Sequence, residues 1–279
     1  FTWQAGARGE MQDIRLADGS GLARKETTPS VSTGLVWNLS EGWSLNSSLA
    51  RTERSPNAQE LYSNGPHVGT NAYEIGDPGL ANETSVALDL SLRKRTGRIT
   101  GALTVFSNRF DGYIYEQPTA AEQDGLDVYT YAQRDAELYG AEFEAVLHLH
   151  EGADQRFDVQ LGGDLVRGRN TEDDTDLPRL TPARARLGFT WARGPFSARA
   201  DLQRVASQNR VSPNESPTGG YTLISASAGY RLVLGRVTYD LFVRGTNLGD
   251  EEVRLHTSFL KEVAPLPGRN LTVGLRTSF

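Results

Sequence analysis

Apolar and polar residues alternate with a period of two along most of the chain. At the C-terminal end, Leu271, Val273 and Leu275 share one face, and Thr272 and Arg276 lie on the other. The same alternation recurs in the segments 86–93, 139–148, 157–165 and 184–191. A period of two is typical of β-strands, and charged residues would interrupt every apolar stripe of a helix. The pattern therefore predicts an all-β protein.

About twelve alternating segments can be assigned, each roughly ten residues long, which is the length that a tilted strand needs to cross a bilayer. The predicted strands span residues 1–12, 29–39, 42–52, 83–95, 98–110, 133–149, 155–168, 181–193, 195–206, 220–234, 236–246 and 268–279.

The connections between these segments alternate between short and long. Short turns are predicted at 40–41, 96–97, 151–153, 194 and 235, and long loops at 13–28, 53–82, 111–132, 169–180, 207–219 and 247–267. Long loops at one end and tight turns at the other are typical of outer-membrane β-barrels. A soluble β-sandwich shows alternating strands too, but it has no reason to keep its long loops at one end. We therefore expect an antiparallel transmembrane barrel segment of about twelve strands.

The two faces differ in composition as a barrel wall requires. The apolar face carries aromatic residues near the strand ends, where rings prefer the lipid headgroup level. The other face is polar and would line a wet lumen, with the arginines Arg184, Arg186, Arg199 and Arg276. These arginines could line a path for an anionic chelate, or they could pair with inward acids such as Asp201, Glu142 and Glu144.

Composition narrows the range of functions. The chain has 279 residues, a formal net charge of −6 and no cysteine. An acidic balance argues against nucleic-acid binding, and the lack of cysteine excludes thiolate chemistry. The sequence lacks the usual motifs of hydrolases, zinc proteases and nucleotide-binding enzymes, so we expect no enzyme. The chain starts without a signal peptide pattern, which is expected of a mature or truncated piece.

Four motifs, in chain order, resemble those of TonB-dependent outer-membrane receptors. Residues 51–62 (RTERSPNAQELY) are similar to a family strand that runs into a long external loop, and 76–85 (GDPGLANETS) to the return from that loop. Residues 247–251 (NLGDE) resemble a family turn, and 267–279 resemble the last strand, which ends on an aromatic residue.

The resemblance implies a particular architecture and partners. Receptors of this family have a barrel of about 22 strands, an N-terminal plug domain and a segment that contacts the TonB complex. The chain would then be a single domain, the C-terminal part of such a barrel, without its plug and early strands. The resemblance also implies an outer-membrane location, with extracellular long loops and periplasmic short turns. Phe279 would be the signal for the outer-membrane assembly machinery.

The implied function is TonB-energised uptake of a scarce metal or metal chelate, such as a siderophore. Residues 62–70, 73–76 and 254–261 further resemble receptors associated with zinc or other metal uptake. One alternative is a small closed porin-like barrel for passive diffusion. Another, from a different class, is a soluble β adhesin or structural protein.

Two histidines in the predicted long loops are candidate metal ligands. His67 has Glu74 and Asp77 nearby in sequence, and imidazole with carboxylates suits zinc, copper or nickel better than calcium. His256, in the last loop, is a candidate partner, so we consider joint ligation by His67, Glu74 and His256. The alternative is that His67 is an exposed loop residue without a ligand. His148 and His150 lie near a short turn and are not expected to be ligands.

Overall fold

The computed structural model describes residues 1–17 and 23–279 and shows fourteen strands and one short helix. The strands are β1 (Thr2–Arg15), β2 (Ala23–Ser40), β3 (Trp43–Arg54), β4 (Asn64–His67), β5 (Ala72–Ile75), β6 (Glu83–Lys94), β7 (Ile99–Gln123), β8 (Leu126–Glu151), β9 (Gln155–Asn170), β10 (Arg184–Arg193), β11 (Phe196–Val205), β12 (Tyr221–Leu234), β13 (Val237–Thr246) and β14 (Asn270–Ser278). The helix α1 spans Ala58–Tyr62. No described helix is both long and apolar enough to span a membrane.

Twelve of the strands form one antiparallel meander in chain order, β1-β2-β3-β6-β7-β8-β9-β10-β11-β12-β13-β14. This confirms the predicted fold class and the number of long strands. The short strands β4 and β5 form a hairpin beside the meander, and β5 pairs in parallel with β8. Within the described ranges β1 pairs with β2 and β14 with β13, so the sheet has two edges and is open.

The strands leave their apolar side chains exposed. On β6, Leu88, Leu90 and Leu92 are about 40% exposed, while Ser91 on the opposite face accepts a hydrogen bond from Thr104 of β7 at 3.0 Å. An apolar face of this extent marks a surface that is covered by something other than water. The alternation therefore gives a wall with an apolar side and a polar side.

Buried apolar side chains collect at the long-loop end. One cluster contains Leu61, Leu80 and Ile114, and another contains Val205, Tyr221 and Val253. Both clusters combine residues of long connections with residues of the strands beside them. The long-loop end is thus a packed structure rather than a set of separate loops.

The short turns lie where the sequence predicted them, and several contain a glycine that the turn requires. Gly42, Gly97, Gly194 and Gly235 all have positive φ, between 54° and 90°. Residues with a Cβ rarely adopt that conformation. These glycines therefore set the tight ends of the sheet.

The predicted long loop at 111–132 is wrong. The structure continues β7 to Gln123 and starts β8 at Leu126, so the connection is a two-residue turn. Its residues Asp124 and Gly125 both have positive φ, at 55° and 77°, which is a type I′ hairpin turn. The Asp-Gly pair is a known hairpin signal that the loop prediction overlooked.

Two other predicted loops contain ordered elements. The segment 53–82 holds α1 and the β4–β5 hairpin. In the predicted loop 13–28, β1 extends to Arg15 and β2 begins at Ala23, while residues 18–22 lie outside the described residues.

Candidate metal and ligand sites at the loop end

The segment that carries His67 is anchored by a group of charged side chains. Asn57 caps α1: its Oδ1 accepts hydrogen bonds from the backbone N–H groups of Gln59 and Glu60, at 2.8 and 2.9 Å. The Glu60 carboxylate accepts from the Asn57 N–H at 2.8 Å, which completes a capping box. Arg54 then joins Glu60 at 2.9 Å and Glu83 at 3.0 Å. The short helix is therefore fixed to the ends of β3 and β6.

His67 and Glu74 face each other across the β4–β5 hairpin. His67 Nδ1 lies 2.7 Å from Glu74 Oε1. The same oxygen accepts from the Thr70 hydroxyl at 2.7 Å, and Oε2 accepts from the Gln59 amide at 2.6 Å. The Glu74 side chain is 2% exposed and that of His67 is 49% exposed. The two side chains are thus in direct contact.

The contacts of Glu74 determine its charge state. Burial raises the pKa of its carboxyl, but the hydrogen bonds from Gln59, His67 and Thr70 outweigh burial, so the pKa lies below its ordinary value. An ionised Glu74 can only accept hydrogen bonds, so His67 must donate from Nδ1. The Nε2 atom of His67 is then the ring nitrogen left for a ligand. A carboxylate behind a histidine in this way is the usual support of a metal-binding imidazole.

Asp77 has a structural partner instead. Its Oδ1 accepts from the Gly79 N–H at 2.7 Å, and its own N–H donates to the Glu60 carbonyl at 2.9 Å. These contacts form the turn that leads into β6. Among the described contacts, Asp77 does not meet His67.

His256 is buried against a different carboxylate. Its Nε2 lies 3.2 Å from Glu215 Oε1, in an orientation that is poorly aligned for a hydrogen bond, and its Nδ1 lies 3.0 Å from the Thr218 hydroxyl. In the described part of the chain, His67, Glu74 and His256 do not form a common group of ligand atoms. The geometry therefore pairs His67 with Glu74 and leaves His256 with Glu215.

Glu215 joins three long loops at one point. It accepts from the Arg179 N–H at 3.0 Å, from the Ser212 N–H at 3.2 Å and from Lys261 Nζ at 3.3 Å. Burial raises the pKa of its carboxyl, but the contacts with His256, Arg179, Lys261 and Ser212 outweigh this effect and lower the pKa to about 2. Glu215 is therefore a charged anchor at neutral pH. Nothing in its local sequence indicated this role.

A cavity of about 330 Å³ opens beside this anchor. Tyr129, Arg179 and Phe259 form its aromatic and cationic wall. The Arg179 guanidinium lies 3.9 Å above the Phe259 ring and donates to Glu116 at 3.0 Å. Tyr129 lies in β8, and Arg179 and Phe259 lie in two separate loops, which explains why the sequence pattern did not group them.

Comparison with known proteins agrees with this architecture. A model of the family described as "TonB dependent receptor-like, beta-barrel" matches residues 1–248. The chain belongs to this TonB-dependent receptor family.

Solved structures and one curated relative are similar to this TonB-dependent receptor chain. They include the copper transporter OprC, with a TM-score of 0.81 and 20% identity over 99% of this chain and 45% of that one. The FrpB iron transporter of Neisseria meningitidis has a TM-score of 0.68 and 14% identity over 99% of this chain and 42% of that one. The ferric enterobactin receptor of Pseudomonas aeruginosa has a TM-score of 0.63 and 19% identity over 99% of this chain and 45% of that one. The iron-regulated outer membrane virulence protein of Vibrio cholerae is 28% identical over 128 residues, which are 43% of this chain and 20% of that protein. The chain thus spans less than half the length of these proteins.

Three of the four arginines predicted to line the lumen of this TonB-dependent receptor chain are engaged with acids. Arg184 donates to Asp164 at 2.8 Å, and Arg186 lies 3.8 Å from the same carboxylate. Arg199 pairs with Asp201 at 2.6 Å. The fourth, Arg276, stands opposite Asp240 in the β13–β14 register. Local pairing, one of the two alternatives derived from the sequence, is thus present for Arg184, Arg186 and Arg199.

Proposed function

We propose that this chain supplies the wall and external loops of an outer-membrane receptor that takes up a scarce metal ion, or its chelate, with energy from the TonB complex. The observation that carries the proposal is the His67–Glu74 pair. A half-exposed imidazole held by a buried carboxylate through Nδ1 keeps Nε2 for a ligand, and such a donor suits zinc, copper or nickel. Relatives named for iron and copper transport support a metal-containing cargo.

The location and partners follow from the family and from the apolar face. The exposed leucines and valines of the strands would contact outer-membrane lipid. The long loops would face the outside and the short turns the periplasm, and Phe279, fully exposed after β14, would serve the outer-membrane assembly machinery. Contact with TonB would be made through the plug domain that the family resemblance implies. Transport, rather than catalysis, is the proposed activity.

Passive diffusion through a closed twelve-strand pore is less well supported. Such a pore requires β1 to pair with β14, and both are edge strands in the described structure. A receptor that accumulates a dilute cargo also needs an energy source, which the TonB complex would provide.

The test measures metal uptake by cells that carry the complete gene. We expect the cell content of zinc, copper or iron to depend on this gene and on TonB when that metal is limiting. If none of the three depends on them, metal uptake is the wrong function.

The role of His67 is tested separately in the same assay. His67→Ala should lower uptake by about tenfold or more, and Glu74→Gln should lower it in the same direction, because the ring loses its orienting carboxylate. His150→Ala, which changes a histidine at the opposite end of the barrel, is the matched control. Undiminished uptake by His67→Ala would remove His67 from the mechanism and leave metal uptake itself standing.

A further inference from the structure

A second group of possible metal ligands lies at the short-turn end of the wall, where β8 meets β9. His148 Nδ1 is 2.8 Å from Asp158 Oδ1 and 3.5 Å from Glu151 Oε1. One ligand atom from each of the three residues lies within 4.8 Å of the other two. The sequence predicted no ligand role for His148, and this end of the barrel is remote from the loops of the proposed function.

A β-bulge brings these residues to one face. In a regular strand, residues three apart point to opposite sides, so His148 and Glu151 would be separated by the sheet. The register between β8 and β9 shifts between His148, opposite Asp158, and His150, opposite Phe157. The extra residue, Leu149, reverses the alternation and turns Glu151 to the side of His148. Bulges often re-aim a side chain in this way.

The same shift places His150 on the other face. It stands opposite Phe157, whose neighbour Asp158 points to the side of the cluster. The two histidines are thus two residues apart and face opposite sides of the wall.

The surroundings hold the cluster in position. The Asp158 side chain is 3% exposed, and its Oδ2 accepts from Arg156 at 2.6 Å, which leaves Oδ1 toward His148. His148 Nε2 lies 3.1 Å from the Thr100 hydroxyl, so both ring nitrogens have defined neighbours. Glu151 is 62% exposed and can close over the cluster from the solvent side.

We propose that His148, Glu151 and Asp158 bind a divalent transition-metal ion, with zinc as the reference case. The ion would take one nitrogen and two carboxylate oxygens, a donor set that suits zinc, copper or nickel. The ion would bind the Nδ1 lone pair of the neutral imidazole, so the single ring proton would lie on Nε2 and be donated to the Thr100 hydroxyl, which would support the ligand from outside. The two carboxylates carry two negative charges and Arg156 carries one positive charge. The cluster therefore keeps a net negative charge, which attracts a cation.

The geometry needs only a small adjustment to admit the ion. Metal–ligand bonds of about 2.0–2.2 Å place tetrahedral ligand atoms roughly 3.4 Å apart. The two observed separations from Nδ1, 2.8 and 3.5 Å, lie on either side of that value. Calcium fits less well, because it prefers six to eight oxygen ligands.

The experiment titrates zinc chloride into the complete gene product, purified in detergent and carrying His67→Ala so that the loop site does not contribute. Calorimetry should show one zinc per chain, and His148→Gln should abolish this binding. His150→Gln is the matched control, because it removes the same kind of side chain two residues away on the opposite face. It should bind zinc like its parent.

Two further readouts keep the result interpretable if His148→Gln folds poorly. Glu151→Gln changes an exposed side chain and should weaken zinc binding by about tenfold or more. With Cu²⁺ as the probe, electron paramagnetic resonance should show coupling to one imidazole nitrogen in the parent and in His150→Gln, and none in His148→Gln. Unchanged binding in His148→Gln and Glu151→Gln, or equal losses in His148→Gln and His150→Gln, would overturn the proposal and leave only an ion pair.

Discussion

At the scale of single residues, the loop end depends on two buried carboxylates that are both fully engaged. Glu74 orients His67, and Glu215 receives donors from three loops. A buried carboxylate that accepts several hydrogen bonds stays ionised. Removing one of its partners strongly lowers the free energy of unfolding, because a buried charge is then left uncompensated. These two residues therefore fix the positions of others as much as they present their own charge.

The lowered pKa of Glu215 predicts how the stability of the loops changes with acid. Its pKa is lowered from about 4.5 to about 2 in the folded protein, so its stabilising contribution is fully present above pH 4.5 and is lost as the pH falls toward 2. The contribution at neutral pH is about 3 kcal/mol. Hydrogen exchange of the segments 207–219 and 247–267, corrected for the intrinsic rate, should accelerate across this interval.

The Glu215→Gln variant should show fast exchange already at neutral pH and little further change on acidification. Glu252→Gln, in the last loop and exposed, should behave like the unmodified protein. Equal acid sensitivity in the Glu215→Gln variant would show that other groups control the loops.

The candidate site was only partly predictable from the sequence. His67 and Glu74 are seven residues apart on a short hairpin, so their proximity in sequence is also proximity in space. His256 was placed beside His67 because both belong to long loops, but the contacts that decide its position come from Glu215 and Thr218. Such long-range contacts leave no local pattern.

At the scale of elements, the period of two located all twelve long strands, but it missed the outer parts of β7 and β8. The errors arise where one or two residues decide the backbone path. The Asp124–Gly125 turn converts a predicted loop into a hairpin, and the bulge at Leu149 reverses a face. A count of apolar residues cannot detect either feature, since both depend on backbone conformation.

The alternation makes a direct prediction for β6. Leu90 is on the apolar face and the adjacent Asp89 is on the polar face. An arginine at Leu90, near the middle of the strand, should destabilise the folded barrel by about 2–4 kcal/mol, because a charge would enter lipid. Urea unfolding of the complete gene product in lipid vesicles measures this loss.

Asp89→Arg is the matched control, since it introduces the same side chain one position along but into the polar lumen. It should change the free energy of unfolding much less than Leu90→Arg. Similar losses for both variants would contradict the assignment of lipid to the apolar face.

At the scale of the whole molecule, the two open edges of the sheet determine whether the chain can be stable in lipid. The outer edges of β1 and β14 present rows of backbone N–H and C=O groups. Lipid offers no partners to such groups, and only a closed barrel satisfies them all.

Residues 1–279 expressed alone are therefore expected not to form a stable barrel in the outer membrane. The folded form would be recognised by its heat-dependent migration in gel electrophoresis, with an intact TonB-dependent receptor as the reference. A heat-sensitive folded band from residues 1–279 alone would instead favour the closed twelve-strand pore.

The long β7–β8 hairpin offers a position at which a peptide tag can be inserted. Its strands have 25 and 26 residues, which at about 3.3 Å per residue is roughly 80 Å, far more than a bilayer occupies. Its tip at Asp124–Gly125 is exposed, and an added Cβ at Gly125 would meet no atom within 4 Å. Such tips tolerate inserted peptides. An epitope tag placed there would be stained by antibody on intact cells only if the long-loop end faces outward, so one immunofluorescence image would establish the orientation of the entire wall.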